Sequence, residues 1–419
     1  MSGLNKKLEF KITTFDLLEK HMKVCMVGVF NYYSDGRVKG YAESLNRIGV
    51  AVDVLALHGY AKNQSAEHSG IRVFNIPIQR IRKNLLTYSL EYGFAFLLFS
   101  FLLTRMFLKE RYDIIHVHNM PDFLVFTGLI PKLFGAKLIL DIHDPMPEVY
   151  ISKFPNAPNG IGVRLMRLQE KYSTILANAV ITANSNFRKN LISRGIPASK
   201  ITVINNYPNP RIFNSAFRST KRANSNEPFT LIFPGTIAPR YGLDVAIRAM
   251  PFIKDKIQNV KLLIVGKQDE YVKSLALLAE QHGVASVVEF RAPVPTEEIP
   301  GLLLQADVGV YPALPDPHMS IATPTKVLEF AVVGIPILSS RLDIVEEMFG
   351  DTAALFFEPG NIEQFAECVF KLYESPELRA SLVDNADRIY VQKHSWEQEF
   401  RAYLIVLDSL LPGILETTD

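Results

Sequence analysis

Three short runs in this chain carry residue types that could hold a phosphate group or a sugar. In Ala322-Thr-Pro-Thr-Lys-Val-Leu-Glu-Phe-Ala-Val-Val-Gly-Ile-Pro-Ile, Lys326 and Glu329 are three apart, so a helix puts both on one face. Thr323 is expected to cap that helix with Pro324 at its first position. The first turn, Pro324 to Lys326, would then offer unpaired N–H groups and a cation, which suit a diphosphate. Glu329 offers a carboxylate, which suits ribose hydroxyls. A solvated i,i+3 ion pair would use the same two residues. The apolar neighbours Val327, Leu328 and Phe330 to Val333 argue instead for a partly buried element.

The second run is Leu231-Ile-Phe-Pro-Gly-Thr-Ile-Ala-Pro-Arg-Tyr-Gly-Leu-Asp. A strand is expected to end at Gly235, a loop to carry Thr236 and Arg240, and a helix to start near Gly242. Glycine allows close backbone approach to a phosphate, and Arg240 adds a two-pronged donor. An ordinary strand-to-helix turn with a surface arginine has the same spacing. The third group is Ile114-Ile-His-Val-His-Asn-Met-Pro-Asp with Leu138-Ile-Leu-Asp-Ile-His-Asp-Pro-Met-Pro-Glu. Both are polar strand ends. His116 and His118 are expected on opposite sides of their strand, with His118 nearer its end. Asp141, His143 and Asp144 include metal-ligand types, but one short run does not show converging geometry, and no metal is expected.

These runs need elements to aim them, and the chain supplies one pattern twice. Short β-branched apolar runs alternate with longer amphipathic segments, the mark of βαβ units and parallel sheets. Strands are expected at Val24–Phe30, Val52–Leu57, Ile71–Ile76, Asp113–His118, Lys137–Ile142, Ala179–Thr182 and Ile201–Ile204 in the first half. The second half offers Phe229–Phe233, Val260–Val265, Val287–Phe290, Val308–Tyr311, Ile335–Leu338 and Ala353–Phe356. The stretch from Asn205 to Pro228 is rich in Asn, Pro, Ser and Arg and weakly periodic, so it reads as a linker. The expected class is therefore α/β: two Rossmann-like domains, 1–205 and 228–394, joined by 206–227 and facing across a cleft. Residues 395–419 include Trp396, Phe400, Tyr403 and Leu407 at helical spacing, a helix expected to return to the first domain.

Composition sets limits. A chain of 419 residues with 48% hydrophobic and 21% charged residues can bury large cores, and a net charge of +2 gives no field that would steer it to nucleic acid. Cys25 and Cys368 read as buried free thiols, which points to a reducing, cytoplasmic compartment. Residues 1–20 lack an apolar signal-peptide core.

Taken together, the segments at Gly235 and Pro324, the His118 strand end and the helix near Trp396 resemble glycosyltransferase family 4, retaining enzymes of the GT-B fold. Tyr33-Ser-Asp-Gly-Arg-Val-Lys-Gly, the Asn184 segment and the Val203 segment are similar to further family joints, and the resemblance spans residues 22–405. Pro-Thr-Lys before Val-Leu-Glu resembles a subgroup of surface-polysaccharide synthesis. The resemblance implies a nucleoside diphosphate sugar as donor, bound by the second domain, and a glycan or lipid-linked acceptor bound by the first. It implies Glu329 on the donor ribose, and Gly235, Thr236, Arg240, Pro324, Thr325 and Lys326 at the diphosphate. It implies His118 as the catalytic contact, no metal or other cofactor, and base recognition near Arg291 to Val294. Asp144 and Glu148 are acceptor-side candidates. Two departures stand out. Gly235-Thr236 and Tyr241-Gly242 replace the family's Gly-Arg and Lys-Gly, so Arg240 and Lys326 are expected to replace the missing cations. Ile321 stands where the family carries the first of two glutamates, which keeps open a non-catalytic subunit that binds sugar nucleotides. A dinucleotide oxidoreductase is disfavoured, because no Gly-x-Gly-x-x-Gly follows the first strand.

One segment remains. Between two strands of the first half, Arg80 to Tyr112 has basic ends and an apolar aromatic middle. Its centre, Phe94 to Leu103, is ten residues, short of the ~18–20 that cross a bilayer. A crossover helix packed on the sheet is expected. The other reading has Arg80, Arg82, Lys83, Arg105, Lys109 and Arg111, with some of Phe94, Phe99, Phe101 and Phe107, meeting an anionic membrane at the inner face of the cell membrane.

Overall fold

In the computed structural model of this protein the described residues are 22–57, 70–76, 85–154, 160–220 and 227–414. They fall into two compact units. One comprises residues to 147, 160–205 and from 397; the other comprises 148–154, 206–220 and 227–396. Arg80, Arg82, Lys83 and part of the expected linker lie outside the described residues.

The first unit is built on β1 (Lys23–Gly28), β2 (Ala51–Leu57), β3 (Ile71–Ile76), β4 (Ile114–His118), β5 (Lys137–Ile142), β6 (Ala179–Thr182) and β7 (Ile201–Val203). All pair in parallel in the order β3-β2-β1-β4-β5-β6-β7. Its helices are α1 (Gly36–Arg47), α2 (Leu85–Glu110), α3 (Leu129–Leu133), α4 (Met146–Lys153, shared between the units), α5 (Ile161–Leu176) and α6 (Ser185–Ser193).

The second unit carries β8 (Phe229–Pro234), β9 (Val260–Val265), β10 (Val288–Arg291), β11 (Val308–Tyr311), β12 (Ile337–Ser340) and β13 (Leu355–Phe357), again parallel, in the order β10-β9-β8-β11-β12-β13. Its helices are α7 (Leu243–Lys256), α8 (Glu270–Gln281), α9 (Ile299–Leu304), α10 (Thr325–Val333), α11 (Asp343–Ala353), α12 (Ile362–Glu374) and α13 (Pro376–Ala386). Finally α14 (Trp396–Leu410) lays Tyr403 and Leu407 into the first unit, where Glu399 accepts hydrogen bonds from the backbone N–H and side chain of Asn205 at 2.6 and 2.9 Å.

Every strand expected from the apolar runs is present, with bounds moved by a residue or two. The largest move has a simple cause. The run Ile335–Leu338 becomes Ile337–Ser340, because Pro336 has no N–H for the ladder. Ser339 and Ser340 are buried there, with hydroxyls donating to backbone carbonyls. Both sheets have helices on both faces, so central strands such as β8 are buried along their whole length. Cys25 and Cys368 are buried free thiols.

The apolar segment is longer than its ten-residue centre suggested. α2 has 26 residues, and Glu91–Glu110, with mean hydropathy 1.4, is long and apolar enough to cross a bilayer by length and composition. Its packing differs from a span. Ala95, Phe99, Leu103 and Phe107, four apart, are buried in the core of the first unit, and the helix joins β3 to β4 of one sheet. Phe99 and Phe107 are thus core residues, while Phe94 and Phe101 are 61% and 63% exposed.

Candidate active site

In each sheet the strand order reverses beside the first strand, and ligands in such sheets bind beyond the carboxyl ends at that point. The second unit's reversal lies between β8 and β11. Gly235 follows β8 at φ 109°, where an added Cβ would lie 2.8 Å from Lys326 Cε. Pro239–Tyr241 forms a single 3-10 turn, and Gly242, at φ 59°, starts α7. A Cβ on Gly242 would lie 2.0 Å from the Pro312 carbonyl oxygen, so only glycine lets the loop after β8 close on the loop after β11. Leu314 N–H donating to the Arg240 carbonyl at 2.9 Å seals that contact.

This geometry brings Arg240 and Lys326 to one aromatic ring. The Arg240 guanidinium carbon is 5.3 Å from the Tyr241 ring centre, and Lys326 Nζ is 4.4 Å from the same centre and 5.2 Å from that of Phe233. Arg240 Nε is buried without a hydrogen-bond partner. Among the described residues neither cation forms an ion pair, including the i,i+3 pair that Lys326 and Glu329 could have made. Thr236 and Thr325 are exposed beside them.

The cap differs from expectation. Pro324, not Thr323, is the N-cap of α10, with extended dihedrals and no side-chain capping bond. The reason is that the Pro324 carbonyl already accepts the N–H of Val327, at 3.0 Å, so helical geometry begins only at Thr325. Glu329 lies one turn further along α10. Burial pushes its carboxyl up to about 7, against the pull of Lys326. A carboxylate so raised, with no hydrogen bond from any described residue, is poised to accept from hydroxyls. In the region expected to read a base, the Arg291 carbonyl already accepts from Gly266 N–H and Gln268 Nε2 at 3.0 and 2.8 Å.

The first unit's reversal lies between β1 and β4, where Gly28 and His118 are register partners. His116 and His118 share a face rather than opposing each other: residues two apart in a strand point the same way, and their rings are 4.1 Å apart. His118 Nδ1 is 3.0 Å from His143 Nε2 and 3.5 Å from Asp141 Oδ2. His116 Nδ1 is 2.9 Å from the Tyr403 hydroxyl on α14. The hub is Asp141. Arg37, at the start of α1, donates to both its oxygens at 2.9 and 3.0 Å and to the Ile204 carbonyl at 2.7 Å.

The charges follow from this packing. Burial alone would push Asp141 up, but Arg37 and His143 hold it well below the usual carboxylate range. Burial pushes both His116 and His118 down, whereas Asp141 overrides burial at His143 and raises it. His118 is therefore a neutral imidazole with Nε2 unbonded.

His116, His118 and Asp141 converge as a metal triad would. The donor set fits a metal poorly, because the Arg37 fork occupies both Asp141 oxygens and sets a fixed cation where a second would bind. Asn119 ties the end of β4 to the turn after β5: its Oδ1 accepts the His143 N–H at 2.8 Å, and its Nδ2 donates to the Asp144 carbonyl at 2.7 Å. Asp144 is half-buried in that turn, and Glu148 is buried in the first turn of α4.

Arg37 and Asn119 were not singled out from sequence, and Tyr403 was read only as part of the last helix's apolar face. A carboxylate at Asp141, inside an apolar strand, does signal that a buried cation must exist. It does not say which one.

Two family descriptions match the chain: Glycosyl transferase 4-like domain over residues 36–207, and Glycosyl transferases group 1 over residues 216–389. An uncharacterized glycosyltransferase of Methanocaldococcus jannaschii is 26% identical over 86% of this chain and 90% of its own length. Among solved structures, sucrose-phosphate synthase from Thermosynechococcus elongatus superposes with a TM-score of 0.73 at 17% identity, covering 93% of this chain and 99% of that one. Anabaena HepE in complex with UDP and glucose gives 0.69 at 18% identity, covering 93% and 100%.

Proposed function

The chain is a family 4-like glycosyltransferase of the GT-B fold, and we propose that it moves a sugar from a nucleoside diphosphate sugar to an acceptor hydroxyl with retention of configuration. The observation that carries the donor half is the pair Arg240 and Lys326, two cations at one ring, with Lys326 lying against Gly235 and neither cation in an ion pair with a described residue. Negative charge grows on a departing diphosphate, so fixed cations there stabilise the transition state more than the ground state. Gly235, Thr236, Pro324 and Thr325 supply close backbone around them, and Glu329 takes the ribose. The complex of HepE with UDP and glucose supports a nucleotide as part of the donor.

Neutral His118 would offer Nε2 to the sugar at the reacting centre, without adding a charge that repels a developing oxocarbenium ion. No protein nucleophile and no metal is assigned. The acceptor proton would pass to the departing phosphate. Asp144 and Glu148 would meet the acceptor, a glycan or lipid-linked glycan of polysaccharide or glycolipid synthesis, on the cytoplasmic side of the cell membrane.

Ile321, lying in a turn capped by Asp316, favours one competing reading: a subunit that binds sugar nucleotides without transferring sugar. The two separate in one experiment. Nucleoside diphosphate release is measured from a panel of UDP- and GDP-sugars with supplied acceptors, alongside calorimetric titration of the same donors. Acceptor-dependent release supports transfer. Binding without release, across donors and acceptors, supports the subunit.

A further inference from the structure

The first unit carries a broad apolar surface that no described element covers. On α2, Leu97 and Phe101 are 67% and 63% exposed; on and after α3, Leu133 and Phe134 are 75% and 64% exposed. On α5, Ile161, Leu165, Leu168, Tyr172 and Ile175 all face outward. Their spacing of four, three, four and three makes a single stripe along that helix. Between the helices lies the 3-10 segment Asp122–Gly128. Its Phe126 lines two adjoining apolar grooves of about 540 Å³ each, one shared with α2 and α3 and the other with α5. A soluble surface rarely leaves so much contiguous apolar area uncovered without a binding role.

Charge says what covers it. Arg164, Arg167 and Lys171 are exposed along one edge of the α5 stripe, Arg105 lines the groove beside α2, and Lys109 and Arg111 follow it. Two acids of these elements are engaged by other cations. Glu170 is buried and pairs with Arg194 at 2.7 Å, and Glu110 pairs with Lys23 and Arg72. Asp122 is buried against Asn119. No exposed acidic side chain lies on α2 from Glu91 on, on α3 or on α5. An apolar face whose exposed charged rim, among the described residues, is cationic suits neither a second copy, which would meet it with the same cations, nor a basic partner.

We propose that this face docks on an anionic lipid bilayer, with the outward residues of α2, α3 and α5 entering the headgroup boundary and the basic rim resting on the phosphates. The α2 helix then lies along the membrane rather than across it, since its other stripe is core. This docking does not depend on the transfer reaction.

The test is flotation of the full chain with vesicles of phosphatidylcholine alone or mixed with phosphatidylglycerol. The parent should float with the mixed vesicles roughly tenfold more than with the neutral ones at low salt. Arg164→Glu/Arg167→Glu/Lys171→Glu should fall to the neutral level, and Leu97→Ser/Phe101→Ser should float less with both. Unchanged melting temperature and unchanged titration of donor sugars would show that the variants remain folded, and donor titration reports on the other site independently. Equal flotation of the parent with both vesicle types, or parent-like flotation of both variants, overturns the proposal. So does a lipid-free dimer that dissociates in the Leu97→Ser/Phe101→Ser variant.

Discussion

The carboxyl ends of β1 and β8 occupy equivalent places in two sheets of like strand order, yet they are built in opposite ways. Beside β1 the charges answer one another. Asp141 faces Arg37 and His143, His116 meets Tyr403 through Nδ1, and His118, nearer the strand end, keeps Nε2 unbonded. Beside β8 the charges are left over: Arg240 and Lys326 meet at one ring without an ion pair, and buried Glu329 has no hydrogen bond, among the described residues. The first arrangement holds one neutral imidazole in place. The second stores binding potential for something with two negative charges and hydroxyls. One topology thus yields a rigid mount and an unfilled socket, and the substitutions below should distinguish them by what each costs.

The largest effect is expected at the mount. Arg37→Ala strands a buried carboxylate, which should destabilise the protein by about 3–5 kcal/mol in chemical denaturation. Arg37→Lys, lacking the fork, should recover only part of that. Near-normal stability of Arg37→Ala would mean that Asp141 is not the hub.

At the socket the order of effects reverses. Arg240→Ala and Lys326→Ala should each lower turnover by about 2–4 kcal/mol in ΔΔG‡, the scale of a lost transition-state donor. Melting temperature should hold or rise, because each removes an uncompensated cation. Parallel losses of activity and stability would make these residues structural.

Glu329→Ala should weaken donor binding by about 1–3 kcal/mol. The pH dependence sharpens this. The folded carboxyl sits at about 7, above its ordinary value of 4.5. Its stability contribution is therefore present below about 4.5 and lost as pH rises through 7. Since the ionised form accepts ribose hydroxyls, donor affinity should increase from pH 6 to pH 8, and Glu329→Gln should flatten that rise. A flat profile in the parent removes Glu329 from the ribose.

The smallest effect concerns the imidazoles. His116 and His118 are pushed down in the folded state, so their stability contribution is present above the ordinary histidine range and lost as pH falls through their folded values. His143, raised by Asp141, works against this and loses its contribution as pH rises. Acid should thus lower the melting temperature below about pH 6, and less steeply in His116→Phe, which removes one group that must charge. An unchanged slope would show that the histidines do not govern acid unfolding.

What the amino-acid order determined by itself was whatever depends on near neighbours. The β-branched runs mark the described strands because a strand buried on both faces is a short unbroken apolar run, and Pro336 shifts β12. Lys326 and Glu329 share a face because three residues along a helix nearly close a turn. Gly235 and Arg240 sit beyond a strand because the apolar run stops there. Tertiary structure decided whatever joins distant positions. Arg37 reaches Asp141 across 104 residues, and Tyr403 reaches His116 across 287. Lys326 was placed over Tyr241 rather than in an ion pair with Glu329, and Phe99 was separated from Phe101. An apolar residue does not carry in its own type whether a sheet or the solvent lies beside it. A buried carboxylate likewise states its need for a cation but not its source, since both follow only from how the layers stack.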